Sequence, residues 1–451
     1  EYHGPGLAQL SAMDRHVIAN MGAELGATTT VFPSDEATRR FLESEERSDE
    51  WRELEADDGA TYDVEDEIDL SSLEPLIAKP TSPGNVVPVR EVAGESLYQA
   101  YIGSSANPGY RDFAIAAKMV KDRRVSDAVS LDVNPTSRQL LEQLMREGLL
   151  VELIHAGARL HQAGCNGCIG MGQAPASGRN SLRTVPRNFP GRSGTREDSV
   201  FLCSPETATA SALVGRVTDP RDLDMPYPTV EEPQRIVNRD MLIAPLPIEQ
   251  AREVEIVKGP NIESMPELEP IPERLELPVL LKVGDDVSTD EIMPAGARVL
   301  PYRSNVPAIA KFVFEVVADG YHDRAMKVRD EGGHAVVAGR NYGQGSSREH
   351  AAIAPRYLGL RVVLAEGFAR IHWQNLVNFG VLPLTFAEPS GIEHIEQGDV
   401  LRIEELKGQL ERGTQITVRV QGKGDIEARH ALSARQVEVL EQGGLINWMR
   451  G

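Results

Sequence analysis

The spacing of apolar positions changes several times along this chain. Residues 10–20 space their apolar side chains as a helix does, and residues 28–32 read as a short strand stopped by Pro33-Ser34-Asp35. From 34 to about 66 acids replace the apolar rhythm, the pattern of a solvated helix-and-loop face. Pro75, Pro80, Pro83 and Pro88 then mark a linker, so a domain boundary is expected there. From Tyr98 the grammar is strand, loop, helix, repeated. Residues 98–102 and 128–131 predict strands, and 110–122 and 138–148 predict helices, the second behind the cap Asn134-Pro135-Thr136-Ser137. Residues 200–203 predict a further strand feeding a helix that starts at Ser204-Pro205-Glu206.

Such βαβ order predicts an α/β fold: three-layer α/β/α domains with a mainly parallel sheet, whose loops after the strands carry ligands. A second proline-rich, acidic connector follows, with residues 226–277 as its linker. The last domain, 278–451, repeats the grammar, with strands at 278–283, 334–338, 361–365 and 382–386 and helices at 347–358 and 369–379. Between 401 and 428 the alternation suggests β-hairpins, so this C-terminal domain mixes β and α. The preceding α/β domain is placed at 93–225.

With 451 residues there is room for two or three domains with substantial cores. A net charge of −21 makes the overall field repel nucleic acid and anionic membranes, so a small anionic ligand must be held by locally placed arginines. No stretch has the apolar length of a membrane span. Three sparse cysteines fit a reducing, cytoplasmic setting.

Two of those cysteines stand in Ala163-Gly164-Cys165-Asn166-Gly167-Cys168-Ile169-Gly170. Glycines before, between and after the pair let the backbone turn both thiolates toward one soft metal centre. The same spacing serves a thioredoxin-type redox pair, half of a zinc site, or two unrelated buried thiols. The loop-like continuation Met171-Gly172-Gln173-Ala174-Pro175 argues against the first, and no second CxxC or His-x-His completes the second. A second constellation is Gly339-Arg340-Asn341-Tyr342-Gly343-Gln344-Gly345-Ser346-Ser347-Arg348-Glu349-His350. Its glycines crowd backbone N–H groups at a helix start, and Arg348 adds a charge, so an anion or a serine alkoxide would be stabilised there. An ordinary serine-capped turn is the plain alternative. Arg187 and Arg192 flank a Pro-Gly turn suited to bidentate capture of carboxylates. Gly284 to Ile292 crowds acids into a loop after a strand.

Taken in order, Ala19-Asn20-Met21-Gly22-Ala23-Glu24, the CxxC loop, Arg187-Asn188-Phe189-Pro190-Gly191-Arg192, Ser204-Pro205-Glu206, Ser288-Thr289-Asp290 and Gly343 to His350 resemble the aconitase family over nearly the whole chain. The resemblance implies interconversion of citrate and isocitrate through cis-aconitate on a [4Fe-4S] cluster. It also implies that 278–451 is the swivel domain closing over the cluster and that 1–75 is the end of an α/β core domain. The chain looks like a C-terminal fragment of a bacterial-type aconitase, monomeric when full length. Carried over by position, Cys165 and Cys168 are cluster ligands and Ser347 is the base, with Ser346 beside it on substrate. Arg348 supports the Ser347 alkoxide, Asp290 orients a catalytic histidine, and Arg187, Arg192 and Arg303 hold substrate carboxylates. Asn20, Glu24 and Asn107 line the cluster. The family's third cysteine lies in a Gly-Ser-Cys-Thr-Asn loop, which here reads Gly103-Ser104-Ser105-Ala106-Asn107. Either Ser105 is the third ligand through oxygen, or Cys203 supplies a sulfur, or the cluster is absent or labile; Cys203, with its softer atom before a helix N-terminus, is preferred to Ser105.

The alternatives to an aconitate hydratase are a sister hydro-lyase acting on isopropylmalate or homoaconitate, and a cluster-free RNA-binding relative. Arg303 favours a tricarboxylate, because an isopropyl pocket would leave an arginine uncompensated. The acidic field opposes RNA.

Overall fold

Seven strands build the sheet of the first of two units, Glu1–Ala251. They are β1 (Leu76–Ala78), β2 (Val86–Pro88), β3 (Gln99–Gly103), β4 (Ser130–Asn134), β5 (Arg159–Leu160), β6 (Asn180–Arg183) and β7 (Ser199–Leu202), in the order β2-β1-β7-β6-β3-β4-β5. From β7 to β5 every pairing is parallel, and β1 and β2 add an antiparallel edge. This computed structural model describes every residue except Arg196, Glu232, Gln234, Arg235, Ile236, Met241, Ala297, Ser346, Ser347 and Gly451.

The alternation along β3, β4 and β6 sorts two kinds of side chain onto two faces. Ala100, Ile102, Leu131, Val133 and Leu182 join the main apolar core under the helices Tyr110–Val120, Leu149–His155 and Pro205–Val214. Their neighbours in sequence, Gln99, Tyr101, Asp132, Asn134, Ser181 and Arg183, share the opposite face and are buried as well. Gln99 stands beside Ser181 and Ser130, and Tyr101 beside Arg183 and Asp132. A buried polar face of this kind must be hydrogen-bonded throughout, and the loops at the strands' carboxyl ends complete its bonding.

Two expectations need correction. Residues 28–32 form no strand; Tyr2 N–H reaches Val31 O, and only an isolated bridge between Ser34 and Leu54 follows, so there is no neighbour with which to build a ladder. The proline-marked stretch after 75 is not a linker, because β1 and β2 lie in it, with Pro88 on an edge strand where its missing N–H costs nothing. Residues 12–22 are helical, as α1 (Ala12–Gly22), fastened by a Ser11/Asp14 capping box.

In the second unit, Arg252–Gly451, seven strands close into a barrel: β8 (Leu275–Lys282), β9 (His334–Ala338), β10 (Leu360–Ala365), β11 (Leu382–Phe386), β12 (Val400–Ile403), β13 (Gln415–Val420) and β14 (Gly424–Arg429). The order is β10-β11-β14-β13-β12-β8-β9. The β8–β9–β10–β11 run is parallel and the rest antiparallel, with β13–β14 a hairpin. Val279, Ala335, Val337, Val362 and Leu364 fill the interior together with Ile271, which the sequence reading assigns to the linker. Among the described residues no helix is long and apolar enough to cross a membrane.

Leu131 is fully buried on the interior strand β4, whereas Leu160 on the edge strand is 42% exposed. Leu131→Ala is expected to cost about 2–5 kcal/mol and Leu160→Ala no more than about 0.5 kcal/mol, read as shifts in the urea midpoint; equal shifts would contradict this assignment of the core.

Candidate functional site

The carboxyl ends of β3, β5 and β6 each release one loop of interest. The β5 loop carries the cysteine pair. It begins at His161, whose Nε2 lies 2.9 Å from Asp132 Oδ1, and Asn134 donates to Gln162 O at 2.7 Å. Gly164 N–H then reaches Pro135 O, and Arg183 donates to Gly167 O at 2.9 Å and to Gln173 O at 2.8 Å. The cysteine loop is therefore pinned at both ends to the buried polar face. Burial lowers the Arg183 pKa to about 10, which leaves it charged at neutral pH.

The sulfurs of Cys165 and Cys168 are 3.5 Å apart. Cys165 is exposed and Cys168 buried against Tyr101 and Val185. The hydrogen bond between the sulfurs pulls the Cys165 thiol down to about 6, helped by the Ser105 N–H and hydroxyl and by the Arg192 charge. The same bond, with burial, pushes Cys168 well up. The pair is thus polarised, with Cys165 the more acidic thiol.

Ser105, at the end of β3, touches Cys165, and its carbonyl accepts from Asn20 at 2.6 Å, so α1 reaches the site. Ser104 before it is held at φ 87°, a left-handed conformation that costs a non-glycine residue strain. On the β6 loop, Arg192 donates to Cys168 O at 3.3 Å, and Arg187 pairs with Glu24 at 2.5 Å. Both arginines keep a buried Nε with no partner among the described residues. The cysteine and arginine loops touch at Gly170, where φ is 80° and a Cβ would fall 2.2 Å from Ser193 O. Asn107 stands slightly apart, donating to Asp112 at the start of the helix Tyr110–Val120.

Cys203 is not with this group. Leu202 packs on the Tyr101–Cys168 side, so alternation turns Cys203 to the opposite face, against the main core. Burial pushes its thiol up, opposite to the expected effect of the helix N-terminus. No third histidine, cysteine or acid stands with the cysteine pair among the described residues. The donor set is two sulfurs with the Ser105 oxygen beside them, in a glycine-lined cradle. This fits a soft metal centre or an iron–sulfur cluster held chiefly through sulfur.

In the second unit the glycine loop lies beside the acidic loop. Gly343 N–H reaches Val287 O at 2.7 Å and Thr289 N–H reaches Gln344 O at 2.8 Å. Gly343 is required, since a Cβ there would meet the buried His372 ring at 2.2 Å. Arg348 donates to Asp290 at 2.7 Å and to Met293 O at 3.1 Å, so within this unit Asp290 is bonded to an arginine rather than a histidine. Arg303 is exposed, and His350 Nε2 lies 2.7 Å from its carbonyl oxygen. Ser346 and Ser347 lie outside the described residues.

Sequence reasoning missed Gln99, Asp132, His161 and Arg183. The signal was present: each strand alternates polar with apolar residues, a pattern that ordinarily means a solvated face.

A family model described as the aconitase family (aconitate hydratase) matches residues 1–215, and one described as the aconitase C-terminal domain matches residues 313–389. Homocitrate dehydratase, mitochondrial, of Saccharomyces cerevisiae is 32% identical over 520 residues, covering 100% of this chain and 66% of that protein. Aconitate hydratase, mitochondrial, of the same yeast is 32% identical over 511 residues, covering 99% of this chain and 65% of that protein. The 3-isopropylmalate dehydratase large subunit 1 of Methanopyrus kandleri is 43% identical over 223 residues, 49% of this chain and 53% of that protein. The chain thus spans just under two thirds of the length of the two yeast relatives.

Two outcomes check the local physics. Gly170→Ala combines a positive φ with a backbone clash, so it should destabilise the protein by more than about 1 kcal/mol in thermal or urea unfolding; a neutral result would mean that the two loops do not touch. Burial raises the Asp112 carboxyl to about 6 from its ordinary 3.8. Because the folded pKa is the higher one, the stability this group contributes is fully present below about pH 4 and is lost as the pH rises through about 6. Asp112→Asn should flatten that segment of the stability–pH curve, by up to about 3 kcal/mol; parallel curves for the two proteins would contradict it.

Proposed function

The chain belongs to the aconitase family, and from that premise we propose that it is the greater part of a hydro-lyase that interconverts citrate and isocitrate through cis-aconitate. The observation that carries this reading is the convergence of Cys165, Cys168, Ser105, Asn20, Arg192 and the Arg187–Glu24 pair at the carboxyl ends of parallel strands. A soft-metal ligand pair and two arginines at one edge suit a substrate that carries both a hydroxyl and several carboxylates.

Cys165, Cys168 and Ser105 would hold a [4Fe-4S] cluster, which when bound supplies a Lewis-acidic iron for the substrate hydroxyl. This chain's residues do the rest. The unpartnered Nε–H groups of Arg187 and Arg192 support their role as carboxylate donors, and Glu24 keeps Arg187 aimed. Ser347 takes the proton from the carbon next to the leaving hydroxyl, a step that needs an alkoxide in a positive field. Arg348, fixed by Asp290 and Met293 O, supplies that field, and Arg303 reads the third carboxylate. Three free cysteines support a reducing compartment such as the cytoplasm; the yeast relatives are mitochondrial by name.

A homoaconitate-type substrate is the second reading, favoured by the likeness to the yeast homocitrate dehydratase. The test is turnover of the anaerobically reconstituted chain on isocitrate, homoisocitrate and 3-isopropylmalate, followed by absorbance of the new double bond. The highest kcat/KM is expected for isocitrate, with kcat falling about 10²–10⁴-fold in Ser347→Ala. Preference for 3-isopropylmalate, or near-normal turnover in the variant, would overturn the assignment.

A further inference from the structure

Arg183 is fully buried, yet its guanidinium meets only neutral partners. It donates to Ser181 Oγ at 3.0 Å, to Gln99 Oε1 at 2.7 Å, and to the carbonyls of Gly167 and Gln173 at 2.9 and 2.8 Å. Its flat face stacks 5.0 Å over the Tyr101 ring. No carboxylate stands within ion-pair range among the described residues. Asp132 is one amide away, through Gln99 at 3.1 Å, and already has His161 at 2.9 Å and Arg159 at 4.0 Å. Asp198 is served by the N–H groups of Gly191 and Ser193.

A buried charge without an opposite charge costs several kcal/mol and persists only where something else needs it. The element that the guanidinium holds is the cysteine loop. Tyr101, under the guanidinium, packs against Cys168, and the Gly167 carbonyl that Arg183 holds is the link just before that cysteine. Tyr101 also leaves no room at Gly167, where a Cβ would come within 2.4 Å of the ring. The guanidinium therefore closes the loop by two carbonyls and sets a positive charge on the far side of the Tyr101 ring that packs against Cys168.

We propose that Arg183 is the buried counter-charge of the Cys165–Cys168 centre, a positioning residue that makes the empty loop ready for a thiolate-bound metal and balances the negative charge of the loaded site. The proposal rests on reading the two cysteines as metal ligands. An arginine is required rather than a lysine for the double carbonyl clamp, whereas the field itself needs only a positive charge.

The experiment titrates the reduced, metal-free full chain with Cd²⁺, following the ultraviolet thiolate-to-cadmium band, and measures the midpoint potential of the reconstituted cluster. Arg183→Gln should move the midpoint potential to more negative values and, with the carbonyl clamp gone, weaken Cd²⁺ binding about tenfold or more. Arg183→Lys keeps the charge and loses the clamp, so it should hold the parent potential while weakening Cd²⁺ binding to a similar extent, with circular dichroism unchanged in both. If Arg183→Gln does not fold, Arg183→Lys decides. A parent-like potential in folded Arg183→Gln would overturn the proposal, as would parent-like Cd²⁺ affinity in Arg183→Lys or an equal shift of potential in the two. Absence of a Cd²⁺ band in the parent, or its survival in Cys165→Ala, would instead sink the metal-ligand reading on which the proposal stands.

Discussion

The 2.9 Å hydrogen bond from Arg183 to the Gly167 carbonyl decides where the cysteine pair sits, and most of the first unit is arranged to make it possible. The donor is on β6 and the ring beneath it on β3, so the strand order and register must be right before the two can stack. The loop they hold leaves β5, at the far edge of the sheet, and comes back across β4. It can do so only because Asp132 and Asn134 on β4 meet its first residues with polar atoms. Each of these groups is buried, so leaving one unbonded would cost about 1–3 kcal/mol. The sheet's polar face and the loop are therefore mutually required.

That arrangement gives the chemistry its place. A parallel sheet delivers its loops at one edge, and here they bring a pair of sulfurs, a serine oxygen and two arginines together, with α1 and its continuation supplying Asn20 and Glu24 from outside the sheet. Neither arginine is spent wholly on structure: Arg192 steadies the Cys168 carbonyl and Arg187 rests on Glu24, while each retains an unpartnered Nε. In the second unit a glycine loop is laid against an acidic loop so closely that Gly343 admits no side chain, which fixes the approach to the helix His350–Tyr357.

Much of this was legible. Apolar spacing located β9 and β11 to the residue, and the CxxC and Arg-Asn-Phe-Pro-Gly-Arg stretches picked out two loops that the structure brings into contact. What misled was context that one residue cannot carry. Gln99, Asp132 and Arg183 alternate with apolar neighbours just as residues on a wetted strand do, and nothing local says that a loop folds back to cover them. Cys203 was preferred for its softer atom, but the period of two along β7 sends its sulfur to the other face. Residues 28–32 have strand-like side chains and no strand beside them to pair with, a long-range condition invisible to propensity.

Iron and acid-labile sulfide analysis of the anaerobically reconstituted chain, beside Cys165→Ala and Cys168→Ala, tests the central claim that these loops form a soft-metal centre. The account predicts about four iron and four sulfide per chain, lost in both variants. Iron and sulfide that persist without either cysteine, or a folded parent chain that takes up neither, would contradict it.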